Sequence, residues 1–183
     1  MAPRRPRPCP AVLALLLCAL LLAGAARADG DPASDTLYTQ KVFFPYSAKV
    51  DAVLAQELER ATAAAADQGN PVRVALIAAP ADLGAIPSLF GRPQAYARFL
   101  GTELQFVYSG RLLVVMPQGA ALSKRGRLID SSLVQRAVVG PGGDGLSKTA
   151  LTLLPSPGRP VPAHPYGQPP SSRASESRRG RQP

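Results

Sequence analysis

A small three-layer α/β/α domain with a central mixed sheet is the fold that this sequence predicts, and three observations predict it. Two runs of branched apolar residues, "VRVALIA" (72–78) and "RLLVVMP" (111–117), read as strands covered on both faces. Helix-period segments stand before the first run and between the two. After the second, "GAALSKRGRLID" (119–130) reads as a hairpin with its turn at Lys124 to Gly126.

The elements follow in order. "MAPRRPRP" is a basic head, and the apolar run Ala11 to Ala26 is 16 residues long. Ala26 and Ala28 then stand at −3 and −1 of a small-residue cleavage site before Asp29. This predicts a signal peptide over 1–28, because a spanning helix wants about 20 apolar residues. The alternative is a retained N-terminal membrane anchor. Residues 29–36 are small and polar and read as a flexible lead-in. "LYTQKVFFPYS" reads as an extended segment that Pro45 confines to an edge or a strand end.

From Ser47, read as an N-cap, the period changes. Val50, Val53, Leu54, Leu58, Ala61 and Ala65 fall on one helical stripe, and Gly69 suits the left-handed stop. Pro93 suits the first position of the next helix, with Tyr96, Phe99, Leu100 and Leu104 on its apolar face. "LVQRAVV" (133–139) fits a strand or a short helix. "GPGGDGLSKTALTLL" reads as a glycine loop opening a last short helix, with Asp144 as its cap. Beyond Pro155 the chain is Pro, Ser, Arg and Gly with almost nothing apolar, which predicts a disordered tail over 155–183. The domain is expected over 37–154, long enough for one modest core.

Composition excludes several functions. The net charge of +9 is concentrated in the two ends; residues 29–154 hold 12 basic residues against 11 acidic, a net of +1. A nucleic-acid binder needs a concentrated basic face, so no nucleic-acid partner is expected. Cys9 and Cys18 lie in the leader and His164 in the tail. The domain therefore has no thiol, no disulfide and no imidazole. Ser-His-Asp and Cys-His catalysis and the usual zinc sites are excluded with them. Acid–base chemistry would have to use Asp, Glu, Lys or Tyr.

Few candidates are left. Asp82, at the exit of the first buried strand, occupies the place where α/β sheets carry functional groups, or else caps its own loop. "GGDGLSKT" (142–149) is close to a phosphate loop but has Ser147 where that loop needs glycine. "SKRGR" puts Lys124, Arg125 and Arg127 within four residues, a solvated tip or a contact for anionic lipid headgroups, wall polymers or an acidic partner. Phe43, Phe44 and Tyr46, in the densest aromatic cluster, either strap onto the sheet or form an adhesive arm.

The order "RVALIAAPADLG", "AYARFL", "SGRLLVVMPQG" resembles the TPM domain of exported or membrane-anchored bacterial proteins, over about residues 48–122. "QKVFFPYS" and "LLVVMP" are also similar to segments of exported actinobacterial proteins. The matched positions, Val72 to Pro80, Tyr96-Ala97 and Leu112 to Met116, are mostly core, so the resemblance implies an α/β/α fold. The family's acidic neighbour of the glycine before the second strand is Ser109 here, and its glycine-rich continuation is absent. Its calcium binding and phosphatase activity therefore transfer to no residue. The expectation is an exported binding or assembly module at the cell envelope, without catalysis or cofactor. An envelope protein or an anionic surface polymer would be its partner, and membrane contact would come only through an uncleaved leader. The alternative is a TPM-like phosphate-ester hydrolase using Asp82 and a divalent metal. A third option gives the binding to the arginines of the tail.

Overall fold

The computed structural model describes residues 30–154; the expected leader and tail lie outside the described residues. The chain is mixed α/β, with a five-stranded mixed sheet and five α-helices among the described residues. Along the chain they are α1 (Pro32–Leu37), β1 (Val42–Phe43), α2 (Ala52–Asp67), β2 (Val72–Leu76), α3 (Pro93–Glu103), β3 (Arg111–Met116), β4 (Gly119–Lys124), β5 (Arg127–Leu128), α4 (Ser132–Gln135) and α5 (Gly142–Leu153). Short 3₁₀ turns at Pro80–Leu83, Pro87–Leu89 and Leu104–Phe106 join them.

The strands lie side by side in sequence order. β1 and β3 pair with β2 in parallel, while β4 and β5 are added antiparallel as hairpins. The strict alternation of the two central strands sorts their side chains into two cores. Ala75, Leu112, Val114 and Met116 pack with Ala33 and Leu37 of α1 and Tyr96, Ala97 and Leu100 of α3. Val72, Val74, Leu76, Leu113 and Val115 pack on the other side with Leu58 and Ala65 of α2, Val134 of α4, and Leu146 and Ala150 of α5. Both faces of β2 and β3 are thus covered, which is why their sequences carry almost no polar residue.

Three local expectations are corrected and one open alternative is decided. Residues 32–37 are not a flexible lead-in but a helix: Asp31 caps it, Pro32 opens it, and Ala33 and Leu37 are fully buried. A six-residue helix is too short to show a period, so only the Asp-Pro pair announced it. α2 starts at Ala52, not after Ser47, because Asp51 is the true cap and its carboxylate accepts from Val53 N at 2.9 Å. Its buried stripe accordingly begins at Leu58, and Val53 is 71% exposed. Residues 132–135 form a helix. Asp144 does not cap α5, whose cap position is Pro141; it accepts from Asp51 N at 2.8 Å and so joins the starts of α2 and α5.

The glycines of that segment serve close packing. A Cβ on Gly143 would come within 2.4 Å of Lys49 O, and one on Gly145 within 2.2 Å of Gly140 C. Gly142 is itself left-handed (φ 68°), and the rest of the segment, Gly143 to Thr149, lies within α5 and not in a loop that could cradle a phosphate. At the other edge, the hairpin turn Lys124 to Gly126 is where the sequence puts it. Arg125 (φ 50°) and Gly126 (φ 72°) are both left-handed, as a two-residue hairpin of this twist requires. Ser123 Oγ donates to Ala97 O at 2.8 Å, and Gly101 lies against the turn.

Gly101→Ala tests that contact. Its Cβ would sit 2.7 Å from Gly126 N, so overpacking should cost about 1–3 kcal/mol in a denaturant melt. A loss under about 0.5 kcal/mol would show that the tip is not clamped to α3.

Candidate functional site

The sheet has two ends, and their chemistry is opposite. At the carboxyl ends of β1 and β2, where open α/β sheets usually hold ligands, the centre is Asp82. It is fully buried, in the 3₁₀ turn that follows β2. Its Oδ1 accepts from the backbone N–H of Tyr46 (2.9 Å) and of Ser47 (3.0 Å). Its Oδ2 accepts from Ser47 Oγ (2.7 Å), Ala78 N (2.8 Å) and Ala79 N (3.0 Å). A carboxylate offers about four lone-pair sites, so five donors leave nothing free for a metal or a substrate proton. Among the described residues no cluster of three or more metal-ligating side chains occurs.

A second carboxylate stands in the same region. Asp31 is 6% exposed, and both of its oxygens accept from Tyr96 Oη, at 2.8 and 2.9 Å. Burial pushes the Asp31 carboxyl up to about 6 from 3.8, against the opposing hydrogen bonds from Tyr96, Ala33 and Ser34. Burial also raises the Tyr96 hydroxyl, with the negative charge of Asp31 and then of Asp82 adding to it. The pair ties α1 to α3. No sequence signal joins residues 65 positions apart, so this contact was not legible beforehand.

The aromatic cluster is divided by the fold. Phe43 is a correction: it is fully buried in β1 and has no surface to offer a partner. Phe44 is half-buried against the opposite core, and Tyr46 is 74% exposed, edge-on to Phe43 with ring centroids 5.3 Å apart. Of these three, Tyr46 alone is largely exposed.

The basic residues, in contrast, converge. Lys124, Arg125 and Arg127 are exposed and line an open cleft of about 750 Å³ with Gln105, Ser109, Leu128 and Ile129. No acid is in that lining, and Asp130 is engaged with Gln135 Nε2. Lys124 pairs across the strands with Arg111 on one side and Arg127 on the other. Three cations therefore stand in one row, on one face of three neighbouring strands, where like charges directly opposite each other are destabilising. Arg111 is the first residue of β3, so the row lies at the amino end of the parallel strands, away from Asp82. The left-handed Arg125 adds a further cost of about 1 kcal/mol that glycine or asparagine would avoid.

Behind Arg111, the Arg73 guanidinium lies 4.2 Å from the centre of the Tyr108 ring, whose hydroxyl donates to Arg111 O at 2.9 Å. Burial pushes the Tyr108 hydroxyl up to about 12, with the charges of Arg73 and Arg111 partly opposing. The second concavity, about 500 Å³, lies on α5 around Pro141, Asp144 and Lys148. Asp144 in its wall is a poor neighbour for an anion. Comparison with protein families, characterised proteins and solved structures finds no match to this chain.

Two predictions separate strut from catalyst. Asp82→Ala would orphan four backbone N–H groups and should cost roughly 3–5 kcal/mol in a denaturant melt. A catalytic carboxylate would instead leave stability unchanged or higher on removal. For Asp31 the folded-state value lies above the unfolded one. Its stabilising contribution is therefore complete below about 3.8 and is lost as pH rises through about 6. Relative to the wild type, Asp31→Asn should gain about 2–3 kcal/mol across that window, since Asn still caps α1. Parallel stability–pH curves for the two proteins would refute this.

Proposed function

We propose that this chain is an exported, non-catalytic binding or assembly module of the cell envelope, and that the basic cleft is where it holds an anionic partner. The observation that carries the reading is a cleft lined by Lys124, Arg125 and Arg127 and by no acid, with Arg111 beside Lys124 in the same cross-strand row. Such a row costs stability when empty and is relieved by a bound anion. The leader pattern in residues 1–28 supports export; it lies outside the described residues. Among the described residues no helix is long and apolar enough to cross a membrane.

No observation favours the hydrolase. It would need Asp82 free to hold a metal or take a proton, and Asp82 is bound to five donors. The reading needs no cofactor: fixed cations suffice to attract and hold an anion, with an affinity that falls as salt rises.

The test is binding to a soluble polyanion, polyphosphate, followed by titration calorimetry at several salt concentrations. The triple variant Lys124→Gln, Arg125→Asn, Arg127→Gln should weaken binding by roughly ten- to hundredfold, since each exposed pair contributes up to about 1 kcal/mol. Its melting temperature should be equal or higher, because the repulsive row is gone. Undiminished binding in the variant would overturn the reading. Phosphate-ester turnover that disappears with chelator and in Asp82→Ala would install the hydrolase instead.

A further inference from the structure

Beside the basic cleft stands an aromatic side chain that the fold does not use. Gln105 and Ser109 both line the cleft, and between them in the chain lie Phe106, 89% exposed, and Val107, 39% exposed. The 3₁₀ turn Leu104–Phe106 fixes this arrangement: Leu104 is 2% exposed in the core, which turns Phe106 outward. Half-buried Leu128 and Ile129 give the cleft an apolar floor between its cations.

A soluble polyanion would satisfy Lys124, Arg125 and Arg127 but would leave Phe106 and Val107 in water. A bilayer surface offers both partners within about 5–10 Å of depth, phosphate headgroups above and the acyl boundary below. Nucleic acid would also combine phosphate with an aromatic contact, through stacked bases. The aliphatic residues Val107, Leu128 and Ile129 have no ring face for a base, whereas all three suit an acyl boundary.

Building on the cleft as an anion site, we propose that its partner is an anionic membrane surface. Phe106 and Val107 enter the headgroup–acyl boundary, while Lys124, Arg125 and Arg127 bind lipid phosphates around them. The contact belongs to the folded domain itself and is independent of any N-terminal anchor. Each cation near such a surface contributes about a fivefold gain in binding, so the attachment is reversible and salt-sensitive.

The chain contains no tryptophan, so Phe106→Trp in the full chain places a single reporter at the point of contact. Because the reporter reads position 106 alone, vesicle association through other segments does not enter the result. With vesicles of phosphatidylcholine and phosphatidylglycerol, its emission should shift to the blue and be quenched by brominated acyl chains. The shift should vanish on phosphatidylcholine alone, and also when Lys124→Gln, Arg125→Asn and Arg127→Gln are combined with the reporter. Polyphosphate should bind without the shift. If polyphosphate binds through the cations but the tryptophan stays water-exposed on anionic vesicles, the membrane proposal is overturned and the cleft reading stands. If neither ligand binds, both fall. A shift on a single-stranded oligonucleotide and none on vesicles would make the partner a nucleic acid and overturn the proposal. So would a shift on vesicles that ignores phosphatidylglycerol and the three cations.

Discussion

The Asp82 carboxylate stands where two parts of the chain leave the sheet together. The strands β1 and β2 end side by side, and their successors, Tyr46-Ser47 and Ala78-Ala79, carry backbone N–H groups that no neighbouring strand can pair. A buried N–H without a partner costs as much as a lost hydrogen bond. One carboxylate, delivered by the turn Pro80–Leu83, meets four of them and the Ser47 hydroxyl besides. The path of the loop into α2 and the exit from β2 both depend on that anion. Such converging N–H groups are what many α/β proteins use to hold a substrate's phosphate or carboxylate. Here the protein fills the position with its own side chain, and the crevice is spent on holding the fold together.

The same end collects more negative charge. Asp31 reaches Tyr96 from α1, and the Tyr96 hydroxyl feels both Asp31 and Asp82. The row of cations stands at the opposite end of the strands.

Much of the fold could be read from the chain. "VRVALIA" and "RLLVVMP" become β2 and β3 because continuous apolar runs have few other uses in a domain this small. Pro93 and Gly126 mark a helix start and a hairpin turn because their backbone preferences are local. What stayed hidden depends on distance along the chain or on shortness. Helix α1 has too few residues for a period. Ser47 resembles a cap, but its hydroxyl is claimed by Asp82, 35 residues on, and Asp51 caps in its place. Phe43 and Tyr46 are near neighbours in sequence, yet one is buried in β1 and the other lies exposed in the bend beyond it. The basic triplet was visible, but its register with Arg111 and the exposed Phe106 beside it are properties of the folded chain alone.

In the hairpin, two choices of residue run against stability. Arg125 occupies a left-handed position where asparagine or glycine would be cheaper, and Lys124 faces a cation on each side. Neither choice helps the domain fold. Around them the support is close: Ser123 anchors to Ala97 O, and Gly101 lets the turn approach α3 to within the space of a missing methyl. Holding unfavourable charges in a fixed row makes physical sense where an external anion restores the balance, because rigid presentation lowers the ordering cost at the moment of binding. The left-handed arginine and the like-charge row are two separate costs, and the proposed anionic surface would relieve the second.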